Sequence, residues 1–192
     1  MREALDCLIR SVHLSAHTFG STDEFLRFKR PDAPGCMVLD VRLPGLSGLD
    51  FHHEMAGSNI NLPVIFISGH GDIPMSVRAI KAGAIEFLPK PFREQDLLNA
   101  IHVGIARDRA RRRASAAVKA LWDHFDSLTP RERQVMLQVA SGRPNKQIAA
   151  ELKLSEVTVK VHRRHVMSKM KAKSLPDLVR MTDKLSDTTE TT

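Results

Sequence analysis

Three polar side chains stand at the ends of three apolar runs. Asp40 follows Cys36 to Leu39 with Val41 beyond it, Ser68 closes Pro63 to Ile67, and Lys90 follows Ala84 to Pro89. An aspartate at a strand end is a nucleophile that can accept a phosphoryl group. A lysine beside it can pair with the phosphoryl charge, and a hydroxyl can bond its oxygens. Taken singly, each reads as well as a solvated loop residue; together at one sheet edge they make a site. A second group points to different chemistry. From Arg143 to Lys173 there are nine Lys/Arg against two Glu, enough to neutralise several phosphates of a nucleic acid.

The first constellation needs a parallel sheet to bring its members together. The pattern predicts a helix over 4–14 with Leu5, Leu8, Ile9 and Val12 on one face, a brief strand over Ser15 to Phe19, and a capping box at Ser21 and Glu24. Strands follow at Cys36 to Val41, Pro63 to Ser68 and Ala84 to Leu88. They alternate with helices opened by Ser47 with Asp50 and by Asp72, the latter running to Lys81 and stopped by Gly83. Such alternation predicts an α/β fold with right-handed crossovers, whose ligands gather at the carboxyl ends of the strands.

The second constellation needs a helix-turn-helix. Thr129-Pro130-Arg131-Glu132 supplies an N-cap, a first-turn proline and a capping-box glutamate. Val135, Leu137, Val139 and Ala140 give that helix an apolar side, and Gly142 with Pro144 ends it. Asn145 then caps a short helix with Ile148, Ala149 and Leu152, and Ser155 caps a third. On the third helix Val159, His162, Val166 and Met170 form one packed stripe, while Lys160, Arg163, Arg164 and Lys171 lie mostly away from it. A packed stripe with a basic outer face suits the major groove, although a solvated face on an ordinary three-helix unit has the same pattern.

The segments Thr129 to Glu132, NKQIAAELKL and SEVTVKVHRRHVMSKM resemble the C-terminal domain of LuxR/FixJ-type regulators. By that resemblance Lys160, Val161 and Arg164 face base edges, and Thr158, Arg163 and Lys169 meet the DNA backbone. Asp40 with LPGLSGLD, Ser68 with SGHGD, and Lys90-Pro91-Phe92 resemble the receiver of the same two-component regulators. The resemblance implies a flavodoxin-like receiver followed by an all-α helix-turn-helix domain. Asp40 would be the phosphoacceptor, Ser68, Phe87 and Lys90 the switch and phosphate-contacting residues, and Mg²⁺ the cofactor. Implied partners are a sensor histidine kinase, promoter DNA, a second copy in an activated homodimer, and RNA polymerase. The expected division is a receiver over 1–106, a helical linker over 107–123, a DNA-binding domain over 124–189 and a disordered tail over 190–192. The polar stretch from Ser186 onward is expected to be disordered.

The family begins with a strand ending in adjacent acidic residues that help hold Mg²⁺, and here no acid pair precedes Asp40 at a strand end. Only the Asp40 carboxylate and the main-chain carbonyl of Arg42 match its metal ligands. The reading is therefore of an N-terminally truncated receiver, from a start assigned at an internal methionine or a lost first segment. It predicts three secure strands, Val38–Val41, Val64–Ser68 and Ile85–Leu88, with Ala16–Phe19 moved beside Val38 or loosely held. The alternative is a regulator whose receiver works without phosphorylation.

Composition narrows the classes. With 192 residues, 42% hydrophobic and 27% charged, the chain has room for about two small domains of ordinary globular make-up. Residues 1–105 carry 10 basic and 12 acidic side chains, and residues 106–192 carry 19 and 10, so the halves have different partners. No run suits a membrane span or a signal peptide, which predicts a cytoplasmic protein with no membrane partner. The arginine-rich run from Arg107 to Arg113 reads as a solvated connector. Cys7 and Cys36 read as buried small hydrophobes, and His52-His53 as a helix surface without a ligand role. Ser174 caps a last helix with Leu175, Leu178 and Val179 on one side, a dimer surface by resemblance and a core stripe otherwise. Aspartyl-phosphate hydrolases want a second aspartate where Arg42 stands, so an enzyme is not expected. Nothing in the first half spells the aromatic-lined pocket of a small-molecule sensor.

Overall fold

The computed structural model describes residues 1–43, 46–58, 60–69 and 73–189. It divides into two compact units, Met1–Arg112 and a second from Arg113 onward. In the first unit, α1 (Arg2–Ser11) and α2 (Thr22–Arg27) precede β1 (Met37–Asp40). Then come α3 (Gly48–Gly57), β2 (Val64–Ser68), α4 (Ile73–Lys81), β3 (Glu86–Pro89) and the start of α5 (Glu94–Asp126). The expected Asp72 cap lies outside the described residues; Gly83, at φ +91°, follows α4 as the glycine signal predicts.

The sheet is parallel in the order β1-β2-β3, with Leu39 opposite Phe66 and Phe66 opposite Phe87. β2 is buried along its whole length, which is why its sequence is an uninterrupted apolar run. One core lies on the side where Phe25, Phe51, Met55, Phe66 and Phe87 meet, and another where Ile65, Ile67, Leu88, Leu97 and Ile101 meet. α5 supplies the second of these through Leu97, Ala100 and Ile101.

The expected brief strand at Ser15 to Phe19 does not form, nor does that segment enter the sheet beside Val38. Phe19 turns instead onto Phe25 and Phe28, and its carbonyl accepts a bond from Arg2 Nη1 at 3.0 Å. Among the described residues β1 pairs with β2 alone, and a cavity of about 810 Å³ runs along its other side, lined by Leu5, Ile9, Ala16, Val38 and Ile105 among others. A strand forms only where a neighbour takes its backbone bonds, and the aromatic contacts of Phe19 hold the segment elsewhere. α1 is correspondingly shallow and buries no residue fully.

Two further expectations change here. Cys7 is exposed, because α1 presents it away from the Leu5, Leu8 and Ile9 side, whereas Cys36 is half-buried and burial, then the nearby Asp108 charge, pushes its thiol up to about 11. His52 is half-buried, packing edge-on to Phe66 at 5.7 Å, and burial, then His53, lowers its pKa, while His53 is exposed as expected.

The arginine-rich run is not merely solvated. Asp108 is fully buried and accepts from Arg111, Arg112 and the Gly35 N–H; Arg112 also pairs with Asp32. Burial would raise the Asp108 pKa, but those donors together bring it below its ordinary value.

The second unit holds the end of α5 with α6 (Pro130–Ala140), α7 (Asn145–Leu152), α8 (Glu156–Lys169) and α9 (Leu175–Thr189). Its core joins Leu121, Leu128, Val135, Met136, Val139, Ile148, Val159, Val166, Met170, Leu178 and Leu185. On α6 the inward stripe is Glu132, Val135, Met136 and Val139, at helical steps of three and four, so Leu137 falls on the outer side and is 55% exposed. Of the α9 stripe, Leu178 is buried in this core, Val179 is half-buried and Leu175 is exposed. Residues 186–189, expected to be disordered, continue α9; 190–192 lie outside the described residues.

Candidate functional site

At the carboxyl edge of the first sheet the three expected residues meet. Asp40 ends β1, Ser68 ends β2, and Lys90 follows β3 by one residue. Lys90 N donates to Ser68 O at 2.7 Å, which fixes the chain there, and Lys90 Nζ reaches back to Asp40 Oδ2 at 2.6 Å. Asp40 Oδ1 accepts from Arg42 N at 3.0 Å. The carboxylate is a third exposed, open enough to meet a small donor from solvent. Ser68 is buried at the same edge. In the parallel register Asp40 stands opposite Ile67 and Ser68 opposite Pro89, so the three residues step along one carboxyl edge, and the Lys90 side chain is long enough to reach back across β2.

Gly48 is a positioning residue that the spacing of acids and hydroxyls does not reveal. Its N–H donates to Val41 O at 2.8 Å, and an added Cβ would stand 2.4 Å from the Asp40 carbonyl oxygen. Ser47 caps α3 through Leu49 N at 3.3 Å, so the helix starts against the backbone of Asp40. Gly48→Ala is expected to displace Asp40 and cost ~1–3 kcal/mol, as overpacking against backbone does. Thermal unfolding measures it; an unchanged midpoint with unchanged phosphoryl uptake would show that the contact does not matter.

Phe87 is 8% exposed and packed in the core with Phe66 and Ala79. As for Mg²⁺, the two ligands that the resemblance implies, Asp40 and the Arg42 carbonyl, would be two of about six oxygens, and among the described residues no group of three acidic, histidine or cysteine side chains gathers there. That donor set fits only an ion that keeps most of its waters.

In the second unit the Thr129 capping box closes in both directions: Thr129 Oγ1 accepts from Glu132 N, and Glu132 Oε2 accepts from Thr129 N at 2.9 Å. The same Oε2 accepts from Lys169 Nζ at 2.6 Å, tying the start of α6 to the end of α8. Glu132 is 3% exposed; burial would raise its pKa, but Lys169 and both Thr129 donors hold it down at about 2. Lys169, expected at the DNA backbone, is therefore committed to Glu132.

Asn145 is the first residue of α7 rather than its cap, a place held by Pro144. Its Oδ1 accepts from Arg163 Nη1 at 2.8 Å, so half-buried Arg163 is also engaged within the fold. Ser155 caps α8 through Thr158 N at 3.0 Å, and Lys153, at φ +53°, makes the turn before it. On α8, Val159, Val166 and Met170 face the core while Lys160, Val161 and Arg164 are exposed. Among the described residues, Lys160 and Arg164 make no ion pair. The second unit thus carries a packed helical core with an exposed basic strip on α8, and the first, taken by itself, a sheet edge with Asp40 and Lys90.

Comparison with known proteins decides the matter. Residues 1–102 match the response regulator receiver domain, and residues 126–182 match the bacterial regulatory proteins of the luxR family. The chain is 56% identical to Nodulation protein W of Bradyrhizobium diazoefficiens over 96% of its own length and 82% of that protein's. It is 41% identical to the transcriptional regulatory protein FixJ of Rhizobium meliloti, covering 94% and 89% of the two chains. This chain belongs to the FixJ-type two-component response regulators. The structure of the response regulator StyR is similar across 96% of this regulator and 93% of StyR, with a TM-score of 0.87 at 48% identity. The regulator thus joins a receiver to a LuxR-type DNA-binding domain, and no described helix is long and apolar enough to cross a membrane.

Proposed function

We propose that this response regulator takes a phosphoryl group on Asp40 from a partner sensor histidine kinase and binds promoter DNA through the outer face of α8. The observation that carries the first half is the 2.6 Å contact from Lys90 to Asp40 at the edge where Ser68 also ends its strand. An Asp40 oxygen attacks phosphorus, a new P–O bond forms, and the donor leaves with the electron pair of the broken bond. Lys90 then pairs with the added charge, the Ser68 hydroxyl bonds a phosphoryl oxygen, and Phe87 couples the site to neighbouring packing. A largely hydrated Mg²⁺ touching Asp40 and the Arg42 carbonyl would screen the incoming phosphate.

Dimerisation follows from Ile73, Val77 and Ile80, an exposed apolar stripe on α4 beside this edge. The proposed division is a receiver over 1–106, a linker over 107–123 and a DNA-binding domain over 124–189, in a cytoplasmic protein that acts on RNA polymerase at its promoters. Incubation with acetyl phosphate and Mg²⁺, followed by intact-mass measurement, tests the reading. One added phosphoryl group per chain, absent from Asp40→Asn, is expected. The second reading, a receiver that works without phosphorylation, is favoured by the sparse oxygen set for Mg²⁺, and no mass gain at all would support it.

On α8, Lys160, Val161 and Arg164 read base edges and Thr158 meets the backbone. Arg163 and Lys169 reach phosphates only from within their contacts to Asn145 and Glu132. Lys160→Ala and Arg164→Ala are each expected to lose site discrimination by ~1–3 kcal/mol, whereas Arg163→Ala weakens binding to all sequences about equally. Binding to the specific promoter and to random duplex at matched salt separates the two behaviours; equal loss on both duplexes for Arg164→Ala would remove it from base reading.

A further inference from the structure

We propose that Glu132, His162 and His165 form a binding site for a divalent transition-metal ion of the Zn²⁺ type, at the join between α6 and α8. Their ligand atoms all lie within 4.8 Å of one another. Glu132 Oε1 and His165 Nδ1 are 3.4 Å apart. Two ligands on a tetrahedral ion with bonds of ~2.1 Å stand roughly 3.4 Å apart, so this pair is already at bonding separation for one ion. His162 and His165 are three residues apart on α8 and share a face.

Two features mark the cluster as more than a chance grouping. His162 Nδ1 is a buried ring nitrogen that lacks a hydrogen-bond partner among the described residues, a costly condition that a metal bond would relieve. The carboxylate is held in place: Glu132 Oε2 takes the Thr129 N–H and Lys169 Nζ, leaving Oε1 turned to His165. Such outer bonds orient a metal-binding carboxylate. One glutamate and two histidines with a fourth position for water is a donor set that zinc accepts, and exposed His165 gives a path from solvent. Lys169 is the opposing influence, since its ammonium stays on Oε2 and repels a cation. The site therefore binds more weakly than a cage without it, and more weakly still where the histidines are protonated. An occupied site would fasten α8, immediately behind exposed Arg164, to the start of α6.

The test uses the full-length regulator freed of metal by chelation and titrated with Co²⁺, whose tetrahedral complexes absorb strongly in the visible. Wild type is expected to develop this absorption with one equivalent and to lose it when Zn²⁺ is added. His165→Gln, at a position 53% exposed, should weaken Co²⁺ binding about ten-fold or more. His52→Gln should leave it unchanged, which separates this cluster from the other histidines. Absence of tetrahedral absorption in wild type, or binding that His165→Gln leaves unaltered, would overturn the proposal.

Discussion

Glu132→Ala is expected to destabilise the DNA-binding unit by about 3 kcal/mol. The substitution removes half of a capping box, worth ~1 kcal/mol, and strips Lys169 of its carboxylate. Breaking a buried pair costs ~3–5 kcal/mol, but Lys169 is 36% exposed and water screens part of that loss. A domain of this size shifts its melting midpoint by roughly 4–8 °C per kcal/mol, so a fall of more than 10 °C follows. The pH dependence has a definite sign. Folding depresses the Glu132 pKa from 4.5 to about 2, so the stabilisation is complete above pH 4.5 and is lost as pH falls from there toward 2. Glu132→Gln keeps an acceptor for the Thr129 N–H but has no charge to titrate, and should flatten this acid limb. Denaturant melts of wild type and both variants between pH 2 and pH 7 make the comparison. A Glu132→Ala midpoint within about 2 °C of wild type at pH 7 would mean that the Glu132–Lys169 contact contributes little.

Asp40→Asn is expected to abolish phosphodonor-driven dimerisation while leaving the affinity of the DNA-binding unit itself unchanged. The amide has no carboxylate oxygen to attack phosphorus, and no other described acid sits at the strand ends with Lys90. Nothing compensates for the lost nucleophile, so the effect should be complete rather than partial. Lys90, 18% exposed, would keep a weaker bond to the amide oxygen, so the fold should survive. Light scattering with and without acetyl phosphate reads the change. Equal dimerisation of wild type and Asp40→Asn in the phosphodonor would point instead to control of assembly by other contacts.

These two positions differ in how they could be found. Asp40 stands at the end of an apolar run, as do Ser68 and Lys90, and the strands fall where the runs predict them: Met37–Asp40, Val64–Ser68 and Glu86–Pro89. Glu132 is legible as half of a capping box because that bond spans three residues. Its second partner, Lys169, is 37 residues away, and no local pattern names it.

The sequence by itself therefore determined most of the periodic elements, the caps at Ser21, Ser47, Thr129 and Ser155, the two-part layout and the three residues at the strand ends. These depend on burial period and on bonds that close within a turn, both written locally. Tertiary structure alone decided which long side chains are committed inside the fold. Arg163 goes to Asn145, Lys169 to Glu132, and Arg111 and Arg112 to buried Asp108. It also decided that Gly48 touches the Asp40 backbone and that Ser15 to Phe19 stays out of the sheet. A flexible cation has the same local sequence signal whether it faces DNA or a buried carboxylate, and a strand needs a neighbour's backbone as well as its own residues. Both outcomes depend on what packing brings alongside, which residue spacing does not encode.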